Sequence, residues 1–155
     1  MNAILKQIHN LLIKNNKTIA VAESCTGGLL SELLTRLSGS SQYFMLGVVA
    51  YSNHAKANIL KIPAQIVLKK GAVSKGIAVY MAGNIQKIAK TDFGIGITGI
   101  AGPSGGSAKK PVGTVFIAIA AKNKTIPYLF RFKGSRTSIR KQATRKALEL
   151  LKKHI

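Results

Sequence analysis

Apolar residues at Ile4, Ile8, Leu11 and Leu12 recur at the spacing of a helix that buries one face, and the short β-branched run 18–22 that follows predicts a strand. Leu29, Leu30, Leu33, Leu34 and Leu37 restore helical spacing, so the intervening Ser24 is placed at a strand-to-helix turn, and Gly39-Ser40-Ser41 marks a loop. Residues 44–51 read as a second buried strand, with Asn53 expected to cap a short helix carrying Lys56, Ile59 and Leu60. Pro63 ends that helix and opens the next. Ser74 is the expected N-cap of a longer helix with Ile77, Val79, Met81, Ile85 and Ile88 among its apolar positions. A third strand, 93–100, runs into a glycine-rich loop at 102–107. Strands 112–121 and 126–132 are spaced to form a hairpin across Lys122-Asn123-Lys124, and a last helix covers about 137–152. Helical crossovers between the early strands imply parallel pairing, while the late hairpin implies antiparallel pairing. The expectation is an α/β fold: a three-layer α/β/α sandwich with a mixed central sheet. No repeat or linker divides the chain, so residues 1–155 read as one domain.

Composition narrows the setting. Cys25 is the only cysteine, which rules out an intrachain disulfide and points to a reducing, cytoplasmic location. No apolar run approaches the ~20 residues of a membrane span, so no membrane association is expected. The opening residues interleave Lys6, Gln7, His9 and Asn10 with apolar positions, unlike a signal peptide. The charge is lopsided: 24 Lys and Arg face only Glu23, Glu32, Asp92 and Glu149, for a formal net charge of +20. Such a surface favours an anionic partner. The lysines are scattered from Lys6 to Lys153 and no nucleic-acid-binding module is present, which argues against specific nucleic-acid recognition. A diffuse positive field still suits a small phosphorylated substrate.

The segment Glu23-Ser24-Cys25-Thr26-Gly27-Gly28 carries the most chemistry. A serine at a strand-to-helix turn sits beside free helix amides that can hold an oxyanion or a phosphate; the alternative is a serine that merely caps the helix. Cys25 is either a rival nucleophile, activated by a helix N-terminus, or a small buried hydrophobe. For a base, His9 and His154 lie in terminal helices, and so few acids are available that a Ser-His-Asp triad is not expected. A buried lysine can serve instead if burial depresses its pKa, although composition does not say which lysine. The dispersed Cys, His and acidic residues have no metal-ligand spacing, and neither GxGxxG nor a P-loop occurs, so no metal and no cofactor are expected. The run 102–106 is either an anion-binding nest or a surface turn.

Taken in order, AESCTGG (22–28), GSS (39–41), YSNHAK (51–56), GAVS (71–74), TGIAGPSGG (98–106), PVGTV (111–115) and IRKQAT (139–144) resemble the CinA C-terminal domain, which also occurs as a stand-alone nicotinamide-nucleotide amidase. The resemblance covers nearly the whole chain. It implies hydrolysis of the carboxamide of nicotinamide mononucleotide to nicotinate mononucleotide and ammonia, and a homo-oligomeric assembly. It also implies Ser24 as nucleophile, Lys56 as general base, and a pocket formed by Thr26, Gly27, Gly28, Tyr51, Asn53, Thr98, Gly99, Arg140 and Gln142. Amides near residues 26–28 would stabilise the oxyanion and the Arg140 guanidinium would fork onto phosphate. Three positions depart from the family pattern, each by loss of an acid: Ser104 in the glycine-rich loop, Lys75 after the GAVS serine, and Ser135 before the last helix. Two other readings stand beside the amidase: a non-catalytic nucleotide- or partner-binding module, and a basic nucleic-acid-associated protein whose binding would be steeply salt-dependent and indifferent to Ser24.

Overall fold

The strands that the pattern marks as buried alternate large with small rather than apolar with polar. In β1 (Ile19–Glu23), β3 (Phe93–Gly99) and β4 (Thr114–Ala121), the residues Ile19, Val21, Phe93, Ile95, Ile97, Val115, Ile117 and Ile119 all enter the larger hydrophobic core. Their neighbours Ala20, Ala22, Ala118 and Ala120 pack on the other side, in line with Gly94 and Gly96. Side chains alternate faces along a strand, so one face of the sheet is deep and the other nearly flat.

The computed structural model describes residues 1–155. The remaining elements are α1 (Asn2–Lys14), α2 (Leu29–Thr35), β2 (Phe44–Val49), α3 (Asn53–Asn58), α4 (Ala64–Lys70), α5 (Lys75–Ala89), β5 (Lys124–Arg131) and α6 (Arg136–His154). One five-stranded sheet has the order β2-β1-β3-β4-β5. The first three strands are parallel, and β4 and β5 are antiparallel to their neighbours, as the connection lengths predict. Helices α1, α2 and α6 fill the deep face with Leu5, Ile8, Leu30, Leu34, Leu148 and Leu151. Helix α5 lies on the flat face, with Ile77, Met81 and Ile85 in one cluster and Ala78 and Ala82 in the next, while α3 and α4 extend that layer. The result is the expected three-layer α/β/α sandwich with a mixed sheet. No helix is long and apolar enough to cross a membrane.

The close approach of α5 explains the glycines of β3. A Cβ on Gly94 would sit 2.2 Å from the Ala82 carbonyl oxygen, and one on Gly96 would sit 2.5 Å from that of Ala78. Neither backbone atom can yield without lifting the helix off the sheet. Gly96→Ala is therefore expected to destabilise the domain by about 1–3 kcal/mol through overpacking, read as a lower urea midpoint with an unchanged slope.

Local boundaries depart from the pattern at several elements: β2, read as buried over 44–51, ends at Val49 and as an edge strand buries none of its residues, and β5 starts at Lys124 rather than 126. Ser52, not Asn53, caps α3: its hydroxyl accepts from the Ala55 amide at 3.0 Å, and Asn53 becomes the first helical residue. Helix α2 ends at Thr35, before Leu37. Strand β4 begins at Thr114, because residues 111–114 form a turn closed by the Thr114 amide on the Pro111 carbonyl at 3.0 Å, with Gly113 left-handed at φ 92°. Ser74 caps α5 as expected, accepting from Ile77 at 3.3 Å. Ser135 caps α6 in the same way, so the missing acid there still leaves a side-chain acceptor for the helix amides.

Candidate active site

The topology decides where a site can form. From β1 the chain crosses the deep face through α2 to reach β2, then returns across the flat face through α3, α4 and α5 to β3 on the other side of β1. Connections diverging from one strand open a crevice at its carboxyl end, where open α/β sheets bind ligands. Ser24 is the first residue after β1, Ala50 follows β2 and Ile100 follows β3, so the sheet delivers these segments to one crevice.

The turn that carries Ser24 is built by Glu23 and two glycines. Glu23 ends β1 fully buried and turns its carboxylate to the start of α2, accepting from the amides of Gly28 (3.1 Å), Leu30 (3.1 Å) and Ser31 (2.8 Å) and from Ser31 Oγ (2.7 Å). It thus supplies from the strand the cap that the N-terminal Gly28 cannot. Gly27 and Gly28 follow one another in left-handed conformations, φ 61° and 95°, which β-carbon-bearing residues adopt only at a cost.

Lys56 reaches Ser24 from the opposite side. Helix α3 points this side chain inward, leaving it 1% exposed. Its Nζ lies 3.1 Å from Ser24 Oγ, 2.9 Å from the Ala50 carbonyl oxygen and 3.2 Å from that of Tyr51. No carboxylate touches the amine, and burial pushes its pKa below the ordinary lysine value, opposed by the Coulombic effect of Cys25. The two carbonyls can only accept. As an ammonium, Nζ donates to all three oxygens; as a neutral amine, with two N–H bonds and one lone pair, it still satisfies both carbonyls and can accept from the Ser24 hydroxyl. In that state the amine could take the proton of the hydroxyl.

Cys25 is poorly suited to nucleophilic attack. It packs into the main core, and burial pushes its thiol up to about 12, so the thiolate is scarce at neutral pH. Its role is that of a small hydrophobe beside the site.

Beside the pair opens a cleft of about 270 Å³, lined on its other sides by Ala72, Val73, Thr98, Gly99, Gly102 and Ser104. Thr98 commits its hydroxyl to the Ala72 carbonyl at 2.7 Å, tying the end of β3 to the segment before α5. Tyr51 and Arg136 stand at the exposed rim: Arg136 donates through Nη2 to Tyr51 Oη and through Nη1 to the Gly102 carbonyl, both at 2.8 Å. No acid lines the cleft. Nowhere do three His, Cys, Asp or Glu side chains gather as a metal site would need.

Several expected pocket residues lie elsewhere. Arg140 does not present its fork to the cleft: Nε and Nη2 both donate to the Thr26 carbonyl, at 3.1 and 2.7 Å, clamping α6 to the nucleophile turn. Thr26 is fully buried, with its Oγ1 unpaired. Gln142 binds the Lys133 carbonyl (2.7 Å) and Ser138 Oγ (3.0 Å), away from Ser24. Asn53 is exposed and outside the cleft lining, and Gly27 and Gly28 shape the turn without lining the cleft. Two turn amides expected to face an oxyanion are already engaged, Gly27 on the Ser24 carbonyl at 3.0 Å and Gly28 on Glu23. The amides of Cys25 and Thr26 donate to no other residue; Cys25 lines the cleft, whereas Thr26 is buried outside it.

Two contributors were not anticipated. Glu23 carried a signal, since an acid that ends an apolar strand beside a candidate nucleophile must find buried donors. Arg136 stood only as the arginine of the Gly134-Ser135-Arg136 turn, with no role attached: it sits one helical turn before Arg140, and only the tertiary fold decides which arginine reaches the cleft.

Fold and site together define a class, a three-layer α/β/α domain with a buried serine–lysine pair at the switch point of a mixed sheet. The chain belongs to the CinA C-terminal domain family, which it matches over residues 1–155. It is 45% identical over 148 residues to a CinA-like protein of Geotalea daltonii, a match covering 96% of this chain and 36% of that protein. With a CinA-like protein of Koribacter versatilis it shares 49% identity over 138 residues, covering 89% and 33%. The chain therefore spans about a third of the length of these curated relatives. Among solved structures, it is similar to the competence/damage inducible protein CihA of Agrobacterium tumefaciens, with a TM-score of 0.93, 38% identity, and coverage of 96% of this chain and 92% of that one. A second is the competence damage-inducible protein A (ComA) of Klebsiella pneumoniae, with a TM-score of 0.94, 31% identity, and coverage of 97% and 94%.

Proposed function

We propose that this domain is an amidohydrolase that converts the carboxamide of nicotinamide mononucleotide to a carboxylate and ammonia, with Ser24 as nucleophile and Lys56 as general base. The observation that carries the chemistry is the carboxylate-free Lys56 amine 3.1 Å from Ser24 Oγ, with two carbonyls occupying its other positions. The substrate's identity rests on the family motifs, supported by a cleft without acids and with a guanidinium at its rim.

In this reading Lys56 takes the Ser24 proton as Oγ attacks the carboxamide carbon. The tetrahedral oxyanion is held by the Cys25 amide, which belongs to the cleft lining and bonds no other residue, since those of Gly27 and Gly28 are engaged and Thr26 is buried outside the cleft. The C–N bond then breaks, Lys56 returns the proton to the departing nitrogen, and ammonia leaves an ester on Ser24. Water, deprotonated by Lys56, attacks that ester and releases the carboxylate product with Ser24 restored. Arg136 takes over the phosphate role expected of Arg140, because its guanidinium faces the cleft and is held there by only a phenol and a carbonyl.

A substrate panel tests this assignment. Ammonia release should be efficient with the mononucleotide and weak with the phosphate-free riboside and with free nicotinamide. Arg136→Ala is expected to raise KM for the mononucleotide by about tenfold or more with little change in kcat, the loss of one charge-assisted contact made equally in ground and transition states. It should leave the riboside nearly unaffected. Equal losses on both substrates would show that Arg136 only supports the Gly102 loop, and a preference for the riboside would refute the phosphorylated substrate.

A further inference from the structure

The largest concavity of the molecule is not the catalytic cleft. It measures about 940 Å³ and lies at the opposite end of the sheet, where Lys17 precedes β1, Thr91 and Asp92 precede β3, and Lys122 begins the β4–β5 turn. A second concavity of about 440 Å³ shares Gln86, Lys87 and Lys122 with it and continues along α5 to Tyr80. Together they form one groove beside α5. The eleven residues of that flank from Tyr80 to Lys90 are separated by ten helical rises, roughly 15 Å, the length of a few nucleotides.

Its walls carry Lys17, Lys87, Lys90 and Lys122, with His154 beside them, against two anionic groups, the Asp92 side chain and the main-chain carboxylate at Ile155. The Asp92 carboxylate is already committed to Lys17 Nζ (2.8 Å), the Thr18 amide (2.9 Å) and Thr18 Oγ1 (3.0 Å). Lys87, Lys90 and Lys122 are exposed and form no ion pair. The other acids cannot neutralise them, since Glu23 is buried under α2 while Glu32 and Glu149 pair with Arg36, Arg145 and Lys146 on their own helices. Lysines near the end of α5 also offset its dipole, but a helix end carries only about half a negative charge, too little to cancel three free cations. The one buried polar side chain of the lining, Thr91, spends its hydroxyl on the Phe93 carbonyl at 2.9 Å, which leaves none to distinguish one base from another.

We propose that this groove binds the phosphate backbone of single-stranded nucleic acid without sequence preference, independently of the chemistry at Ser24. Lysines suit such tracking, as mobile point charges that follow a polyanion rather than forks that fix one phosphate.

The test is fluorescence anisotropy with a labelled oligothymidylate across a salt series. Wild-type protein should bind with log K falling by about 2 or more per unit of log salt, the slope for three phosphates neutralised on a single strand. Lys87→Gln, Lys90→Gln and Lys122→Gln together should lower affinity by about tenfold or more at roughly 50 mM salt and remove most of that slope. A control with the same charge loss on exposed lysines outside the groove, Lys6→Gln, Lys69→Gln and Lys133→Gln, should change affinity less than about threefold. Neither set touches the serine–lysine pair, so unchanged amide turnover confirms folding, and circular dichroism serves if turnover is absent. Equal losses in the two sets would assign binding to diffuse charge and overturn the groove. Polyglutamate binding as tightly as the oligonucleotide, with the same sensitivity to the groove substitutions, would overturn the nucleic-acid assignment in favour of an acidic protein partner.

Discussion

Ser24→Ala is expected to lower ammonia release from nicotinamide mononucleotide by about 10⁴-fold or more while leaving nucleotide affinity within a few fold. The hydroxyl removed is the only one near Lys56 Nζ, and the neighbouring thiol is held protonated by burial, so no side chain of the cleft can substitute. Binding should survive because the rim contacts of Arg136 and Tyr51 do not pass through Ser24. Ser24 is nearly buried and its replacement is smaller, so the thermal midpoint should move little. Turnover and isothermal binding on one preparation check both parts. A variant retaining a tenth of wild-type turnover would remove Ser24 from the chemistry.

Lys56→Met is expected to cost a similar factor in kcat, but its fuller signature is in pH. The proposed base works as the neutral amine, and burial lowers its pKa, so wild-type kcat should rise with pH along a limb whose midpoint lies below the ordinary lysine value of about 10.4. The variant should lack that limb. Stability follows the same sign. A lysine whose folded-state pKa is depressed costs the fold most below that pKa, and the cost is relieved as pH rises toward the unfolded value. The stability of wild type relative to Lys56→Met should therefore improve with pH across that window, measurable by urea unfolding at several pH values. A flat difference would mean that Lys56 keeps its proton as any surface lysine does.

How much of this was written in the chain differs from residue to residue. The sandwich and its mixed sheet follow from connection lengths: crossovers long enough for helices force the first strands parallel, and the Lys122–Asn123 turn forces the last two antiparallel. Ser24 was legible as a serine at a strand-to-helix turn. Lys56 was not singled out by spacing, because nothing local distinguishes it from exposed lysines; only the family motif marked it, and only the fold shows its burial. The two arginines of α6 show the limit most clearly. Four residues apart on one helix, they differ in what faces them: Arg140 meets the Thr26 carbonyl, while Arg136 meets Tyr51 and Gly102. That difference arises from contacts more than 30 residues apart in sequence, which periodicity does not encode. Ser52 displaced Asn53 as the cap of α3 because two adjacent good capping residues are separated only by where the backbone turns helical.

The lost acids now read differently from one another. At Ser135 the cap function is retained by a hydroxyl. At Lys75 a cation occupies the first turn of α5, where a helix N-terminus favours an anion. Ser104 leaves the cleft without a carboxylate, which favours an anionic substrate at its rim.

The most direct test of the serine–lysine amidase is to incubate purified protein with nicotinamide mononucleotide and quantify ammonia and nicotinate mononucleotide together, by enzymatic assay and by chromatography with mass detection. The two products are expected in equal amounts, formed at a rate proportional to enzyme and absent with Ser24→Ala prepared in parallel. Folded wild-type protein that binds the nucleotide yet forms neither product would contradict it.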